Sequence, residues 1–191
     1  MVKLIGVKKV KTAVFISGKG SNLNNLIKFS KNKKSPITID FVVSNKKKAK
    51  GINFAKKNKI DFKICSFEKN SEKKILQILN KKKIKLICLA GFMKILTKKF
   101  INKFNGKIIN IHPSLLPKYK GLNTHKRAID NNEKYSGCTV HFVNAKLDSG
   151  KIILQKKLKI KKNDTPAKLE NRIHKLEYLI YPAAIKRIIS L

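Results

Sequence analysis

Short apolar runs alternate with amphipathic stretches over the first two thirds of the chain, and most of the runs end near a Gly, Ser or Pro. Continuous apolar runs of this length are typical of strands buried on both faces of a parallel sheet. Apolar positions at helical spacing predict helices between several of the runs. The pattern therefore predicts strands at 12–17, 37–43, 61–65, 85–90 and 107–111, and helices at 23–28, 47–57 and 71–80.

The pattern changes after Pro113. A helix is predicted at 125–131, and residues 138–144 then alternate between polar and apolar, as a strand with one polar face does. A turn at 146–150 separates this strand from another at 151–160, which predicts an antiparallel hairpin. Asp164, Thr165 and Pro166 are typical of a helix start. A last helix is therefore predicted to run to about residue 189.

These elements predict an α/β fold that is Rossmann-like: a doubly wound, mostly parallel sheet with helices on both faces and an antiparallel C-terminal hairpin. The chain contains no internal repeat and no low-complexity linker. We therefore expect a single domain over residues 1–191, with residues 1–11 as a short basic N-terminal extension.

The formal net charge of +36 raises the possibility of nucleic-acid binding. All but three of the 46 basic residues are Lys, however, and they are spread along the whole chain without interleaved aromatic residues. Because codons for Lys, Ile and Asn are A/T-rich, a coding bias explains the charge more simply. A solvated basic surface is therefore favoured, and nucleic-acid binding is kept as the alternative of a different class.

Targeting segments and cysteine spacing both bear on the cellular compartment of the protein. The chain has no apolar run of 18 residues, and its N-terminus lacks the apolar core and cleavage site of a signal peptide. The three cysteines are odd in number and far apart, and no Cys-x-x-Cys is present. These features favour neither a disulfide framework nor a metal site, and they fit the reducing cytoplasm.

The strand end at 108–117 (IINIHPSLLP) carries the clearest chemistry. One apolar residue separates Asn110 from His112, so in an extended segment both side chains point to the same side. Pro113 cannot donate to a sheet ladder and therefore ends the strand. Because ligands bind at the carboxyl ends of strands in open α/β sheets, the amide and the imidazole are candidate catalytic groups.

Asp148 lies in a Leu-Asp-Ser-Gly turn, where Asp is common for structural reasons alone. A carboxylate close to His112 would raise the pKa of the imidazole and orient the ring. His141 on the preceding strand is a rival partner for which a structural role is favoured. His125 is placed on a helix, at the surface or the pocket rim. Spacing alone does not bring residues 112 and 148 together.

Two further segments are candidate binding loops. Residues 18–22 (GKGSN) connect a strand to a helix, a geometry that directs free backbone N–H groups toward an anion such as a phosphate monoester. The loop matches neither a P-loop nor a dinucleotide G-x-G-x-x-G, and a ligand-free capped turn is an equally good interpretation. Residues 92–96 (FMKIL) can line a pocket for a flat ligand, although Met and Phe in such a position are more often core.

Six stretches resemble the phosphoribosylglycinamide formyltransferases, a family of single-domain purine-pathway enzymes: ISGKGSNL, SNKKKAKG, LAGFMKIL, IINIHPSLLPKYKG, HFVNAKLDSGKIILQ and LEYLIYP. The pattern N-x-H-P-S-L-L-P with a later Asp is typical of the wider folate-dependent formyltransferase superfamily. The Gly-Lys-Gly-Ser-Asn loop and the chain length are similar to this family in particular. The resemblance extends from about residue 12 to residue 189.

The resemblance implies transfer of a formyl group from the co-substrate 10-formyltetrahydrofolate to the glycinamide amine of 5'-phosphoribosylglycinamide, in de novo purine biosynthesis and without a metal. It implies Asn110, His112 and Asp148 as the catalytic residues. Asn110 and a protonated His112 would donate hydrogen bonds to the developing oxyanion, and Asp148 would keep His112 charged.

Matching positions imply both binding sites. Gly20, Ser21 and Asn22 match the phosphate loop of the ribonucleotide site, and Glu177 matches a carboxylate that binds the ribose. We hypothesise that His174, on the same helical face as Glu177, approaches the phosphate. The folate side is implied by matching positions: Met93, Lys94, Ile95, Leu96, Asn110, Ala145, Lys146 and Leu147.

The implied partners are these two small-molecule substrates, with no nucleic acid and no membrane, and the implied location is the cytoplasm. A monomer and a homodimer both stay open. A cis peptide bond is predicted at Leu116–Pro117, because X–Pro bonds in tight turns adopt it most often.

Departures from the family pattern affect loops around the site. Lys120 and Asn123 replace a Pro and a His, and Lys19 and Lys94 stand where relatives carry other polar residues or Arg. Lys is not a bidentate donor as Arg is. An Arg that contacts the folate in some relatives has no clear counterpart near residues 69–70.

Two related enzymes are alternatives. A methionyl-tRNA formyltransferase would share the central motif but is expected to carry a second, RNA-binding domain. A formyltetrahydrofolate hydrolase would share the catalytic residues but typically adds an N-terminal regulatory domain.

Overall fold

A computed structural model describes residues 9–67 and 71–189. Within these residues, strands and helices alternate for most of the chain. The strands are β1 Val10–Ile16, β2 Ile37–Ser44, β3 Phe62–Ile64, β4 Leu86–Leu89, β5 Lys107–His112, β6 Tyr135–Phe142 and β7 Ile152–Lys159. The helices are α1 Ser21–Lys31, α2 Ile52–Lys57, α3 Ser71–Lys81, α4 Lys98–Lys103, α5 Thr124–Asp130 and α6 Pro166–Ile189.

The seven strands form one sheet in the order β3-β2-β1-β4-β5-β6-β7. Strands β1 to β5 pair in parallel, whereas β6 is antiparallel to β5, and β7 to β6. The predicted doubly wound α/β class and the C-terminal hairpin are thereby confirmed.

A hydrophobic core covers each face of the sheet, because successive residues of a strand point to opposite faces. Val14 and Ile16 of β1 belong to the core on one face, which includes residues of α1 and α6. Phe15 belongs to the core on the other face, with residues of α3 and α4 such as Leu79 and Phe100. Full burial of a side chain of this size contributes roughly 1.5–3 kcal/mol, so both layers hold the sheet in place.

The strand order reverses between β1 and β4, and this reversal positions the site. Chain 17–20 leaves β1 and chain 90–93 leaves β4 at the same edge of the sheet, in opposite directions. The two connections are joined, since the Met93 amide donates to Ser17 Oγ at 2.7 Å and the Ser17 amide donates to the Gly91 carbonyl at 3.1 Å. Such a switch point is where open α/β sheets bind ligands.

Helix α6 crosses behind this edge although Pro182 lies in its interior. Proline removes the backbone N–H that would bond to the carbonyl four residues earlier, which belongs to Tyr178. Asn25 of α1 donates to that carbonyl at 2.9 Å instead. The buried Tyr181 hydroxyl donates to the Leu89 carbonyl at 2.8 Å and ties α6 to β4. These bonds fix the position of the preceding helical turn, which carries Glu177.

The structure corrects several predicted boundaries. Helix α4 was not among the predicted elements, because only Phe100 of its six residues is buried and the hydrophobic signal is weak. Helix α2 begins at Ile52 instead of residue 47, and β6 begins at Tyr135, three residues before the predicted start. Residues 1–8 of the expected N-terminal extension lie outside the described residues, and Val10 and Lys11 already belong to β1.

The predicted cis bond at Leu116–Pro117 is confirmed. No helix within residues 9–67 and 71–189 has the length and apolarity needed to span a membrane.

Candidate active site

The end of β5 supplies two polar side chains. Ile109 and Ile111 are buried in the core on the α6 side, so the alternate residues Asn110 and His112 point to the other face. His112 is only 6% exposed, because Pro113 and the loop after it fold back over the strand end. The predicted common side for the amide and the imidazole follows from this alternation.

The turn between β6 and β7 brings Asp148 to His112. Asp148 Oδ2 lies 3.4 Å from His112 Nδ1, and the Asp148 side chain is 8% exposed. The turn packs so closely on β6 that a Cβ on Gly150 would lie 1.7 Å from the Phe142 carbonyl oxygen, which only glycine allows. Asp148 itself has a φ of 44°, a left-handed conformation that Asp tolerates better than most residues.

His141 joins the same cluster, and sequence reasoning missed its position there. Its Nδ1 bonds the Phe142 carbonyl at 2.8 Å, which assigns the proton to Nδ1 in the neutral ring. Nε2 then accepts from Asn110 Nδ2 at 3.3 Å and lies 3.7 Å from Asp148 Oδ1. Antiparallel pairing of β5 with β6 places Asn110 opposite His141, a register that the alternating pattern of residues 138–144 did not reveal.

Burial and neighbouring groups shift the pKa values of both His112 and Asp148. Burial lowers the pKa of His112 below 6.5, and the Tyr119 carbonyl and Asp148 only partly offset this effect. Burial opposes ionisation of Asp148, but His141, the Gly121 amide and His112 together bring the pKa of its carboxyl below the usual value. Burial therefore lowers the pKa of His112 more than its carboxylate partner raises it, and it opposes the positive charge expected on this ring.

An open cleft lies beside these groups. All but one of the predicted folate-side residues line it, together with the catalytic candidate Asp148: Lys94, Ile95, Leu96, Asn110, Ala145, Lys146 and Leu147. His141 also lines it, whereas His112 touches it only through Asp148. Met93 is 58% exposed and is not among the lining residues, since its backbone amide is turned toward Ser17.

The anion loop lies at the start of α1. Gly20 is the N-cap residue with a φ of 76°, and having no side chain it leaves the first amides of the helix available. A Cβ on Gly20 would lie 2.4 Å from Gly51 Cα, so the loop packs against the start of α2 as only glycine permits. Free amides at a helix N-terminus attract anions, which fits the predicted phosphate loop over Gly20, Ser21 and Asn22.

Glu177 of α6 faces this loop. It is 3% exposed, and its Oε2 accepts from Asn22 Nδ2 at 2.8 Å. Burial, reinforced by the charge of Glu170, raises the pKa of Glu177 to about 7, although the bond from Asn22 favours its ionised form. His174 Nε2 lies 4.0 Å from Glu177 Oε2 and 3.8 Å from Glu170 Oε1, so it borders the site on the same helix.

His125 of α5 lies between the two groups of residues. The charges of Glu170, His174 and His112 all influence its pKa, which burial lowers below 6.5. Its Nδ1 and the Oδ1 of Asn22 are buried without a hydrogen-bond partner among residues 9–67 and 71–189. Unpaired buried polar atoms are rare, and two of them here are suited to partners on a bound ligand. His125 is therefore half-buried at the site, not merely a surface residue.

The loop that departs from the family pattern lies over the cluster. Lys120 Nζ donates to Ser149 Oγ at 2.6 Å, and Asn123 is the N-cap residue of α5 with a φ of 57°. Residues 69–70, where the family's folate-contacting Arg has no clear counterpart, lie outside the described residues. Within the described part of the chain, no group of three or more His, Cys, Asp or Glu side chains has an arrangement that could hold a metal ion.

Fold and site define a class: an open-sheet α/β protein with an acid–base cluster and an anion loop at the carboxyl ends of its strands. The chain belongs to the formyl transferase family, whose model matches residues 10–185.

Individual relatives share most of this chain. The phosphoribosylglycinamide formyltransferase of Haemophilus influenzae is 46% identical over 181 residues, covering 92% of this chain and 85% of that protein. The human trifunctional purine biosynthetic protein adenosine-3 is 42% identical over 188 residues, covering 96% of this chain. The chain spans only 19% of that human protein and 14% of its Chironomus tentans counterpart.

Solved structures agree closely with this fold. The phosphoribosylglycinamide formyltransferase of Anaplasma phagocytophilum superimposes with a TM-score of 0.91 at 39% identity, covering 96% of this chain and 88% of that one. The corresponding enzyme of Brucella melitensis gives a TM-score of 0.90 at 38% identity, with coverages of 96% and 97%.

Proposed function

We propose that this protein transfers the formyl group of 10-formyltetrahydrofolate to the glycinamide amine of 5'-phosphoribosylglycinamide. The observation that carries the proposal is the cluster of Asn110, His112, His141 and Asp148 between the open cleft and the anion loop. The cleft suits a flat folate, and the loop with Glu177 suits a ribose phosphate. Relatives of nearly the same length carry this activity in their names.

The reaction exchanges one C–N bond for another. The substrate amine forms a bond to the formyl carbon, the bond from that carbon to the folate nitrogen breaks, and the proton lost by the amine ends on the released nitrogen. The folate supplies the activated formyl group. The chain must orient the two reactants, stabilise negative charge on the formyl oxygen and move one proton.

Asn110 stabilises the oxygen. His141 accepts one hydrogen of its amide at 3.3 Å, which orients the group, and the second hydrogen faces the cleft. A donor held in this way is worth roughly 3 kcal/mol of transition-state stabilisation, because it needs no reorganisation when the charge develops.

His112 and Asp148 move the proton. Nε2 of His112 donates to the Tyr119 carbonyl at 2.9 Å, so Nδ1 is the nitrogen that can gain a proton. Asp148 Oδ2, 3.4 Å from Nδ1, stabilises the imidazolium that forms and lowers the barrier to proton uptake. Asp148 lines the cleft, so its carboxylate relays the proton between the reactants and His112 Nδ1, and the proton ends on the leaving folate nitrogen.

The site is assembled from segments throughout the chain, from the β1–α1 loop to α6. We therefore infer that residues 1–191 act as one catalytic domain whose partners are the two small molecules. Cys65, Cys88 and Cys138 are all unpaired thiols, which supports a reducing, cytoplasmic location.

An absorbance assay of folate turnover tests the function. The purified chain with 10-formyltetrahydrofolate should release free folate only when the ribonucleotide is added, and mass spectrometry should find the formylated amine. His112→Ala should abolish both signals. Turnover without the acceptor would indicate the hydrolase, and salt-dependent duplex binding without any turnover would indicate a nucleic-acid-binding protein.

A further inference from the structure

The loop 118–123 contacts both members of the proton-transfer pair. The Tyr119 carbonyl accepts from His112 Nε2 at 2.9 Å, and the Gly121 amide donates to Asp148 Oδ2 at 2.9 Å. The loop backbone therefore determines which nitrogen of His112 carries hydrogen in the neutral ring. It also directs the carboxylate toward the other nitrogen.

This loop is conformationally demanding. Tyr119, Gly121 and Asn123 all have positive φ, at 54°, 77° and 57°. A non-glycine residue in the left-handed region costs roughly 1–2 kcal/mol, so such a conformation persists only when surrounding contacts impose it.

Arg127 of α5 supplies contacts to the middle of the loop. Its Nη1 donates to the Lys120 carbonyl at 2.7 Å and to the Leu122 carbonyl at 3.4 Å, on either side of Gly121. Its guanidinium lies 5.1 Å from the centre of the Tyr119 ring, as in a cation–π contact. One planar side chain thus contacts the Tyr119 ring and the carbonyls on both sides of Gly121.

Other contacts hold the ends of the loop. Glu133 accepts from the Tyr119 hydroxyl at 2.8 Å, Ser114 Oγ donates to the Lys118 carbonyl at 2.7 Å, and Lys120 Nζ bonds Ser149. None of these three bonds involves a backbone group between Tyr119 and Leu122. Arg127 instead donates to the backbone carbonyls of Lys120 and Leu122.

We propose that Arg127 is a positioning residue, which holds loop 118–123 so that Tyr119 fixes the tautomer of His112 and Gly121 aims Asp148. It acts through the loop backbone and touches neither substrate. The effect on turnover rests on the proposed formyl transfer, whereas the effect on the His112 tautomer does not.

The charge of Arg127 and the loop geometry that Arg127 holds have opposite effects on the pKa of His112. Asp148 and the Tyr119 carbonyl raise this pKa, while burial and the charges of His141 and Arg127 lower it. Losing the positive charge alone would raise the pKa. Losing the loop geometry would lower it, because the carbonyl bond to the imidazolium is lost. Arg127→Lys keeps the charge but cannot replace the planar fork, so it separates the two effects.

The first experiment needs no variant. Long-range ¹H–¹⁵N correlation spectra of the whole protein, with His112 assigned by its absence in His112→Gln, should show hydrogen on Nε2 in the neutral ring. Hydrogen on Nδ1 would overturn the proposal, because Tyr119 would then not select the tautomer.

The second experiment compares Arg127→Lys, Arg127→Gln and the control Lys126→Gln. The control removes one charge from the same helix, where the exposed Lys126 pairs with the exposed Asp130. We expect both Arg127 variants to show mixed tautomers and a kcat reduced about tenfold, with both KM values within about twofold of wild type. The His112 pKa should fall in Arg127→Lys, which keeps the positive charge and loses only the loop geometry. The control should match wild type in every measurement.

Three results would overturn the proposal: Arg127→Lys equal to wild type, a His112 pKa that rises in Arg127→Lys, or equal losses in the control. The spectra decide these points even if the wild-type chain transfers no formyl group. Failure of the proposed function is thereby distinguished from failure of the positioning role.

Discussion

Buried polar groups are hydrogen-bonded at one end of the site, the acid–base cluster, and partly unpaired at the other end, beside the anion loop. In the acid–base cluster, Asn110 bonds His141, His112 bonds the Tyr119 carbonyl, and Asp148 accepts from the Gly121 amide. At the ribonucleotide end, Asn22 Oδ1 and His125 Nδ1 have no hydrogen-bond partner in the described part of the chain, and Glu177 bears the cost of burial.

This difference indicates that the acid–base cluster is the preorganised end of the site. Paired groups keep their geometry before any ligand arrives, which is what transition-state stabilisation requires. Unpaired groups gain their partners on binding, so the substrate itself completes that end of the site. Changes in the cluster should therefore affect kcat, and changes at the ribonucleotide end should affect substrate affinity and the stability of the free protein.

Asp148→Asn should have the largest effect. The amide still fits the turn but cannot stabilise a proton on His112, and we expect kcat to fall by roughly 10³–10⁴ while the ribonucleotide KM stays within about threefold. Steady-state kinetics beside Asp130→Asn, an exposed carboxylate of α5, would measure this. A loss in kcat smaller than about tenfold would show that the cluster is not the preorganised end.

Glu177→Gln should change the stability of the free protein and the ribonucleotide KM more than it changes kcat. Its pKa is raised from 4.5 to about 7, so the native state binds this proton more tightly than the unfolded state. The contribution of Glu177 to the free energy of unfolding is therefore largest below pH 4.5 and falls as the pH rises to about 7 and above. Removing the ionisable group should stabilise the ligand-free protein by about 3 kcal/mol at alkaline pH, and raise the ribonucleotide KM about tenfold.

Urea unfolding at several pH values measures this stabilisation. Asp130→Asn is the control, because this exposed carboxylate of α5 is not among the groups that shift the pKa of Glu177 and should change stability by less than about 0.5 kcal/mol. An unchanged pH dependence in Glu177→Gln would contradict the assignment of a buried, costly carboxylate.

The pH profile of the cluster should show the smallest effect. His112 must be neutral to accept a proton, and burial lowers its pKa, so kcat/KM should fall with decreasing pH at a midpoint below 6.5. The measurement is best made in Glu177→Gln, which removes the carboxyl that titrates near neutral pH. His125→Asn should leave the midpoint unchanged, whereas a midpoint above 6.5 would show that Asp148 dominates His112 after all.

Sequence reasoning predicted most of the sheet and the residues at its edge. The strand before His112, the Gly-rich turn before α1 and the hairpin that carries Asp148 are all local patterns, in which apolar periodicity and turn residues suffice. It did not predict α4, whose single buried residue, Phe100, leaves little periodic signal. It named His141 as a rival partner but favoured a structural role, because the register of β5 with β6 is a pairing between distant segments.

The sequence by itself therefore determined the class of fold, the pairing of an amide with an imidazole at a strand end, and the family resemblance. Only the tertiary structure decided that Asp148 reaches His112, that His141 orients Asn110, and that burial lowers the pKa of His112. The physical reason is that periodicity and turns act over a few neighbouring residues. Hydrogen bonds and desolvation depend on which distant segments pack together, and a linear pattern does not contain that information.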